Sequence, residues 1–392
     1  MTLTRRAALA AGLATPFVAR AQGEPIRIGT LTPLTGAGGP YGPSMVKAMQ
    51  AVAEAVNGAG GVLGRRIQLV SEDSQTNPDA AVRAGRKLID VDKVPAICGT
   101  WASAVTTAVA PLCWENRTML FTVSGADSIT QLPHQGYIIR TQPNTKLQNT
   151  RVGKFMVAQG VKKLFVLGAQ TPFAVPGYQT LTEVLAANGS QTVGHVIYDK
   201  DKANFRSEVD QALRTRPDMI FLNGYTPDVT IVMRELFRAG FDGKRMAPEY
   251  AINVKLLESL PAEVTEGALN YAPSPDLNSP AFKAVAAILG TGTPDTYSCQ
   301  TYDQFSLAVL AIAKAGTVSG TAIHDAVRKI SQGSGEKVTS AVDGLKLLSA
   351  GKEINYEGAS GPCDFLDSGD IIDCKFRFDI AEKGKFRTLE LS

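Results

Sequence analysis

Two rhythms of apolar and polar positions alternate along this chain. Ile26-Arg27-Ile28-Gly29-Thr30-Leu31 alternates with period two and breaks at Pro33, which predicts a strand. Pro40-Tyr41-Gly42-Pro43 then leads into a helical pattern over 44–56, stopped by Asn57-Gly58. A second strand is expected over 67–72, a loop over 73–78 and a helix over 79–91. The run Val94-Pro95-Ala96-Ile97-Cys98 is short and apolar, as in a strand buried on both faces of a parallel sheet. Gly99 ends it, and a helix is expected from Ser103 to Trp114, with Ala, Val and Leu at helical spacing. A hydroxyl at a helix start caps a free backbone N–H. The same loop and helix start also suit an anionic group. Residues 119–123 read as the next strand, ending at Ser124-Gly125.

Past 137–140 the rhythm restarts. Helices are expected over 145–159, 176–188, 205–215 and 227–239. Strands are expected over 163–168, 192–198 and 218–223, with a short one over 245–248 ending at Glu249. Strand and helix alternate at βαβ spacing in two successive units, which argues for parallel sheets covered by helices on both faces. Longer helical patterns follow over 280–289, 296–315 and 321–330. Residues 305–315 are apolar on most faces, as in a helix packed inside a domain. Residues 331–339 read as a polar, Gly-rich surface loop and 360–378 as extended hairpin structure.

The first twenty-odd residues are different material. Thr4-Arg5-Arg6, an apolar run over 7–13 and Ala19-Arg20-Ala21 have the layout of a cleavable secretory signal, and the paired arginines suggest the twin-arginine route. The apolar run is far short of the ~20 residues that cross a bilayer. Cleavage near Ala21 implies a periplasmic protein. It also removes Arg5, Arg6 and Arg20 and no acid, which lowers Lys plus Arg from 40 to 37 against 37 Asp plus Glu. The mature chain is formally neutral, so composition makes no case for nucleic acid or an acidic membrane surface. With 392 residues, two domains are expected.

Five cysteines are few for a disulfide scaffold, but export permits disulfides. If Ser368-Gly369 is a two-residue hairpin turn, Cys363 lies directly opposite Cys374, which predicts a disulfide between them. Cys98 reads as a small core residue, and the pairing of Cys98, Cys113 and Cys299 is left open. No P-loop and no G-x-S-x-G elbow occur. The Gly58 to Gly64 patch reads as a turn between helix and strand. His134, His195 and His324 are widely spaced, without metal-ligand partners. No enzyme activity, cofactor or metal is therefore expected.

Several motifs, in order, carry a resemblance. Thr32-Pro33-Leu34-Thr35-Gly36 followed by Pro40-Tyr41-Gly42, Asn57-Gly58-Ala59-Gly60-Gly61-Val62-Leu63-Gly64, Glu72-Asp73, Asn77-Pro78, Pro217-Asp218 and Thr301-Tyr302-Asp303 resemble the branched-chain amino acid–binding proteins of ABC importers. The resemblance implies a type I periplasmic-binding-protein fold, with two Rossmann-like lobes joined by three crossovers in a hinge. It implies lobe 1 at 26–142 plus 273–357 and lobe 2 at 143–272 plus 358–392. A small-molecule ligand would lie between the lobes, and an ABC transporter permease would be the partner of a monomer.

Matched motif by motif, Tyr41 would flank the ligand, and Trp101, Ala102 and Ser103 would line the first loop. Gly125, Ala126, Asp127 and Ser128 belong to the second loop, Phe173 to the third, Tyr225 to the fourth and Glu249 to the fifth. Phe173 and Tyr225 also suit lobe packing, Glu249 a solvated loop, and Tyr302 the interior of a helix. The five loops fall at strand C-terminal ends, where open α/β sheets bind ligands. Trp101 stands where similar proteins often have a small residue. Either Asp127 or Ser128 stands where a Thr commonly holds the ligand carboxylate. An amino acid, an amide, a urea-like solute or an aromatic acid is thus expected. Trp101 with Phe173 would suit a flat ligand, and Glu249 would meet an ammonium. A sugar-repressor-type regulator shares the fold but needs a DNA-binding headpiece. An exported ligand-sensing protein is the remaining alternative to an importer.

Overall fold

The computed structural model describes residues 23–275 and 277–392; the signal expected over 1–21 lies outside the described residues. The first sheet holds β1 (Ile26–Thr32), β2 (Ile67–Asp73), β3 (Ala96–Thr100), β4 (Met119–Thr122) and β5 (Ile138–Arg140) in the order β2-β1-β3-β4-β5. All its pairings are parallel. The second is built from β6 (Lys163–Ala169), β7 (Gln191–Tyr198), β8 (Met219–Asn223), β9 (Lys244–Pro248) and β10 (Leu269–Ser274), parallel to one another. The chain then returns to the first unit. There β11 (Glu336–Val338) and β12 (Ile354–Tyr356) form a small parallel pair. Finally β13 (Lys375–Glu382) and β14 (Lys385–Leu391) add antiparallel edges, completing the order β14-β13-β10-β9-β8-β6-β7.

Each sheet is covered on both faces because alternate side chains point oppositely. Met119 and Phe121 enter one core and Leu120 the other; Leu164 and Val166 oppose Phe165 and Leu167 in the same way. The helix Thr296–Ala315 is buried from Thr296 to Ile312, so its apolar circumference lies in the interior. Gly99 takes φ of +89°, which lets β3 turn into the Ser103–Glu115 helix.

The alternation over the first 250 residues appears as expected, with helix ends displaced by one or two residues. Two readings are corrected. Residues 331–339 are not loop throughout: Glu336–Val338 pairs with Ile354–Tyr356 and buries Val338 alone. The helix Ala341–Ser349 and strands β10 and β14 were not anticipated.

The third correction is the disulfide. The hairpin carrying Cys363 has three turn residues, Asp367, Ser368 and Gly369, with Gly369 at φ +87°. Leu366 N–H donates to Asp370 O at 2.8 Å and Ile372 N–H to Asp364 O at 2.9 Å, and Phe365 bridges Ile371. A two-residue turn would pair 367 with 370; the added residue shifts the register by one and sets Cys363 opposite Asp373. A one-residue slip sends a side chain to the other face. Cys363 accordingly sits in the core of the first unit, beside Ala359, Phe365 and Ile371, while Cys374 packs on the second core. The boundary expected at 357/358 therefore falls too early, because 359–371 packs with the first unit. All five cysteines are free thiols.

Asp303, in the long buried helix, clamps the chain as it heads back to the second sheet. It accepts from Tyr356 Oη at 2.9 Å, from Ala359 N and Ser360 N at 2.7 Å each, and from Ser360 Oγ at 2.5 Å. Gly358 lies so close that an added Cβ would stand 2.1 Å from Asp303 Oδ1.

Two outcomes follow from these contacts. Alkylation of the unfolded mature chain without reductant should modify five thiols; three modified cysteines would establish a disulfide after all. Burial pushes the Asp303 carboxyl up to about 6, against the donors that lower it. Because the folded value lies above the unfolded one, this site's stability is complete below about pH 4 and is lost as pH rises through about 6. Urea unfolding should show the wild type losing about 3 kcal/mol over that window relative to Asp303→Asn, the equivalent of about two pKa units. Parallel pH curves would refute this assignment.

Candidate functional site

The C-terminal ends of both parallel sheets converge on one cleft. From the first sheet come Trp101, Ala102 and Ser103 after β3, and Val123 and Gly125 after β4. From the second come Thr171 and Phe173 after β6, Tyr225 after β8 and Tyr250 after β9. Gln142, in the segment joining β5 to the second unit, and Tyr297 complete a small cavity of about 30 Å³. That is room for one water. The rest of the cleft is filled by Trp101, 5 % exposed. Its ring stacks on Tyr41 at 5.9 Å and meets Tyr225 at 5.7 Å, Tyr297 at 5.8 Å and Tyr250 at 5.9 Å. Phe173 reaches Tyr250 at 6.0 Å and lies against Gly125, where an added Cβ would stand 2.5 Å from its ring. Tyr41 ties the two units further, accepting from Asn253 Nδ2 at 3.0 Å.

The first loop is held rigidly. Ser124 Oγ donates to Trp101 O at 2.8 Å, and Thr122 Oγ1 to Thr100 O at 2.9 Å. Ser103 does not cap its own helix. The N-cap position is Ala102, which offers no side-chain acceptor. Ser103 Oγ instead accepts from Ala126 N at 3.2 Å, joining the first loop to the second. The helix thus presents an uncapped N-terminus to the cleft, with partial positive charge.

Beneath the rings a smaller cavity of about 10 Å³ is polar. Gln148, Glu249, Tyr271 and Thr296 line it, with Gln142, Tyr250 and Tyr297 shared with the first. Tyr271 Oη is buried without a hydrogen-bond partner, and so is Gln300 Oε1, whose amide nitrogen donates to Gln142. A buried phenol without a partner is costly, and a bound polar group relieves it. Glu249 is paired with Arg377, Nη2 to Oε1 at 3.1 Å. Burial pushes the Glu249 carboxyl up, Arg377 opposes that, and Asp295 and Asp379 add to it.

Trp101, Ala102, Ser103, Gly125, Phe173 and Tyr225 therefore surround one cavity, and Glu249 lines its polar neighbour. Tyr41 closes the cleft through Trp101 without lining either cavity. Asp127 and Ser128 are not brought in. Asp127 Oδ1 accepts from Lys146 N at 3.2 Å, at the start of the Thr145–Ala158 helix, and Ser128 is exposed. Ala126 is turned inward, its carbonyl accepting from Arg140 Nη1 at 2.5 Å. Tyr302 lies in the core, as its helix position suggested. Thr171, Tyr250, Tyr271, Tyr297 and Gln142 escaped the sequence reading. Tyr250 had a signal, since it directly follows Glu249 at a strand end; Tyr271 and Tyr297 had none, being a mid-strand residue and the second residue of a helix. No group of three or more potential metal ligands occurs among the described residues.

Trp101 carries most of the aromatic contact between the units. Trp101→Ala should loosen closure, and small-angle scattering should record a larger radius of gyration than for the wild type. An unchanged profile would show that other contacts hold the cleft shut.

Comparison with known proteins points one way. A family model described as periplasmic binding protein matches residues 25–374. The chemotactic signal transduction system substrate-binding protein BasB of Halobacterium salinarum is 27 % identical over 87 % of this chain and 84 % of its own. The leucine-, isoleucine-, valine-, threonine- and alanine-binding protein of Pseudomonas aeruginosa is 24 % identical over 90 % and 89 %. The crystal structure of the leucine-binding protein LivK from Thermotoga maritima superposes with a TM-score of 0.80, at 23 % identity over 93 % and 98 % of the two chains.

Proposed function

The chain belongs to the periplasmic binding protein family, with the type I fold of the branched-chain amino acid–binding proteins, and from that membership we propose that it is the periplasmic solute-binding component of an ABC importer. It takes one small solute between two lobes and delivers it to a permease. The observation that carries this reading is the convergence, from both sheets, of an uncapped helix start, a serine and a set of aromatic rings on one cleft.

The same groups define the ligand. A carboxylate or polar carbonyl is directed to Ser103 and the helix N-terminus. An apolar or flat body lies against Trp101, Phe173 and Tyr225. A donor group, such as an ammonium, reaches Glu249 and the unpartnered Tyr271 hydroxyl. Asp127, turned toward Lys146, does not oppose the carboxylate. An α-amino acid with an apolar or aromatic side chain meets all three requirements, consistent with what the Pseudomonas relative is named for. Cavities of about 30 and 10 Å³ are too small for such a solute. Entry therefore requires the lobes to part, and contacts to both lobes favour reclosure.

A sensing role, with the same ligand but a receptor in place of a permease, is favoured by the name of the Halobacterium relative alone. Loss and rescue of solute uptake in a deletion strain separates the two.

Thermal shift of the mature protein against leucine, isoleucine, phenylalanine, benzoate and benzamide should identify a binder, since ligation of the native state raises the melting temperature. Glu249→Gln should then weaken an amino acid by about 2–5 kcal/mol, as when one side of a buried charge pair is removed, and benzoate far less. Equal calorimetric affinities for the amino acid would remove Glu249 from the site.

A further inference from the structure

A second cavity adjoins the aromatic cleft and exceeds it in volume. A chamber of about 730 Å³ lies between the lobes and shares Tyr41 and Glu249 with the cleft region. Tyr41 stacks on Trp101, and Glu249 also lines the small polar cavity. Pockets of this volume hold small organic molecules. Leu257 and Phe282, both buried, form apolar wall together with Phe386.

Its charged lining is lopsided. Arg377 donates through Nε to Asp379 Oδ2 at 2.8 Å and through Nη2 to Glu249 Oε1 at 3.1 Å. Asp295 is a third carboxylate in the lining, accepting from Ser298 and Ser44. The lining thus holds three carboxylates and one buried guanidinium, which two of them engage, and the other two cations, Lys255 and Lys385, are exposed to solvent. Asn270, 2 % exposed, also lines the chamber. Its amide nitrogen is committed to Ile252 O at 2.8 Å, while its Oδ1 has no partner. The unmet requirement is therefore for a donor and for positive charge. A carboxylate would meet the excess of like charge, which is costly away from water.

We propose that this chamber is a second ligand site, for an organic ammonium with an apolar body, whose charged end sits among Glu249, Asp379 and Asn270 and whose body lies against Leu257 and Phe282. The site shares Tyr41 and Glu249 with the cleft region and is otherwise built from groups outside the ring cluster around Trp101. An occupant would touch both lobes, as Tyr41 and Phe282 belong to the first and Asp379 to the second, and so would influence closure.

Three probes of one shape test this on the mature protein by calorimetry at pH 7: phenethylamine, phenethyl alcohol and 3-phenylpropionate. The amine should bind about tenfold or more tighter than the alcohol, and the acid should give no binding. Phe282→Ala and Asp379→Asn should each weaken the amine by about tenfold or more; Phe282 lines the chamber and not the aromatic cleft, so its effect separates the two sites. The comparison of probes on the wild type holds even if Asp379→Asn fails to fold, because Asp379 also accepts from Thr388. No binding of the amine, equal binding of amine and alcohol, or an amine affinity unchanged by Phe282→Ala would overturn the proposal.

Discussion

Arg140 is the charge on which the geometry of the cleft depends. It is fully buried at the end of β5, where the chain leaves the first sheet. Burial alone would expel it, and it pulls the guanidinium toward deprotonation. Asp370 holds it charged, bonded to Nε at 2.8 Å and to Nη2. The remaining donors are spent on Ala126 O and on Thr130 Oγ1 at 2.9 Å. One side chain thereby joins three separate stretches of chain: the second cleft loop, the turn after it and the hairpin that returns from the far end of the sequence. Removing either charge would leave the other buried and unpaired. The position of Gly125 opposite Phe173 follows from this anchorage.

What Arg140 fixes from behind, Trp101 fills from the front. A ring with four tyrosines around it excludes water and gives the cleft its closed form without a covalent or metal tie. Each aromatic contact is worth about 0.5–1.5 kcal/mol beyond its buried area. Together these contacts join the two lobes across the cleft. Within the first lobe, Thr122 and Ser124 hydroxyls pin the carbonyls of the first loop. The first loop thus holds Trp101 and Ser103 in place, and the second lobe's Phe173, Tyr225 and Tyr250 pack against it.

Glu249 and Arg377 connect the two cavities. Their ion pair spans from the end of β9 to β13, and Asp379 shares the guanidinium. The carboxylate expected to await a ligand ammonium already has a cation at 3.1 Å. With Asp379 also present, the trio carries two carboxylates to one guanidinium.

Much of the architecture was legible in the chain. Period-two and helical patterns located the doubled α/β rhythm because both depend on burial of local faces. The resemblance of the chain's motifs to the branched-chain amino acid–binding proteins, rather than local patterning, pointed to Tyr41, Trp101 and Glu249 in loops at strand ends. The tertiary structure alone decided the rest. It turned Asp127 onto Lys146 N and Ser103 onto Ala126 N, since hydrogen-bond partners twenty residues away leave no periodic trace. It separated Cys363 from Cys374, because Gly369 adds a third residue to the turn and one residue of register reverses a side chain. It brought Tyr271 and Tyr297 to the cleft from a mid-strand position and a helix start, where sequence alone marks only core. Local patterning determines which faces are buried; which faces meet is set by long-range packing and by the few buried charges that packing must pair.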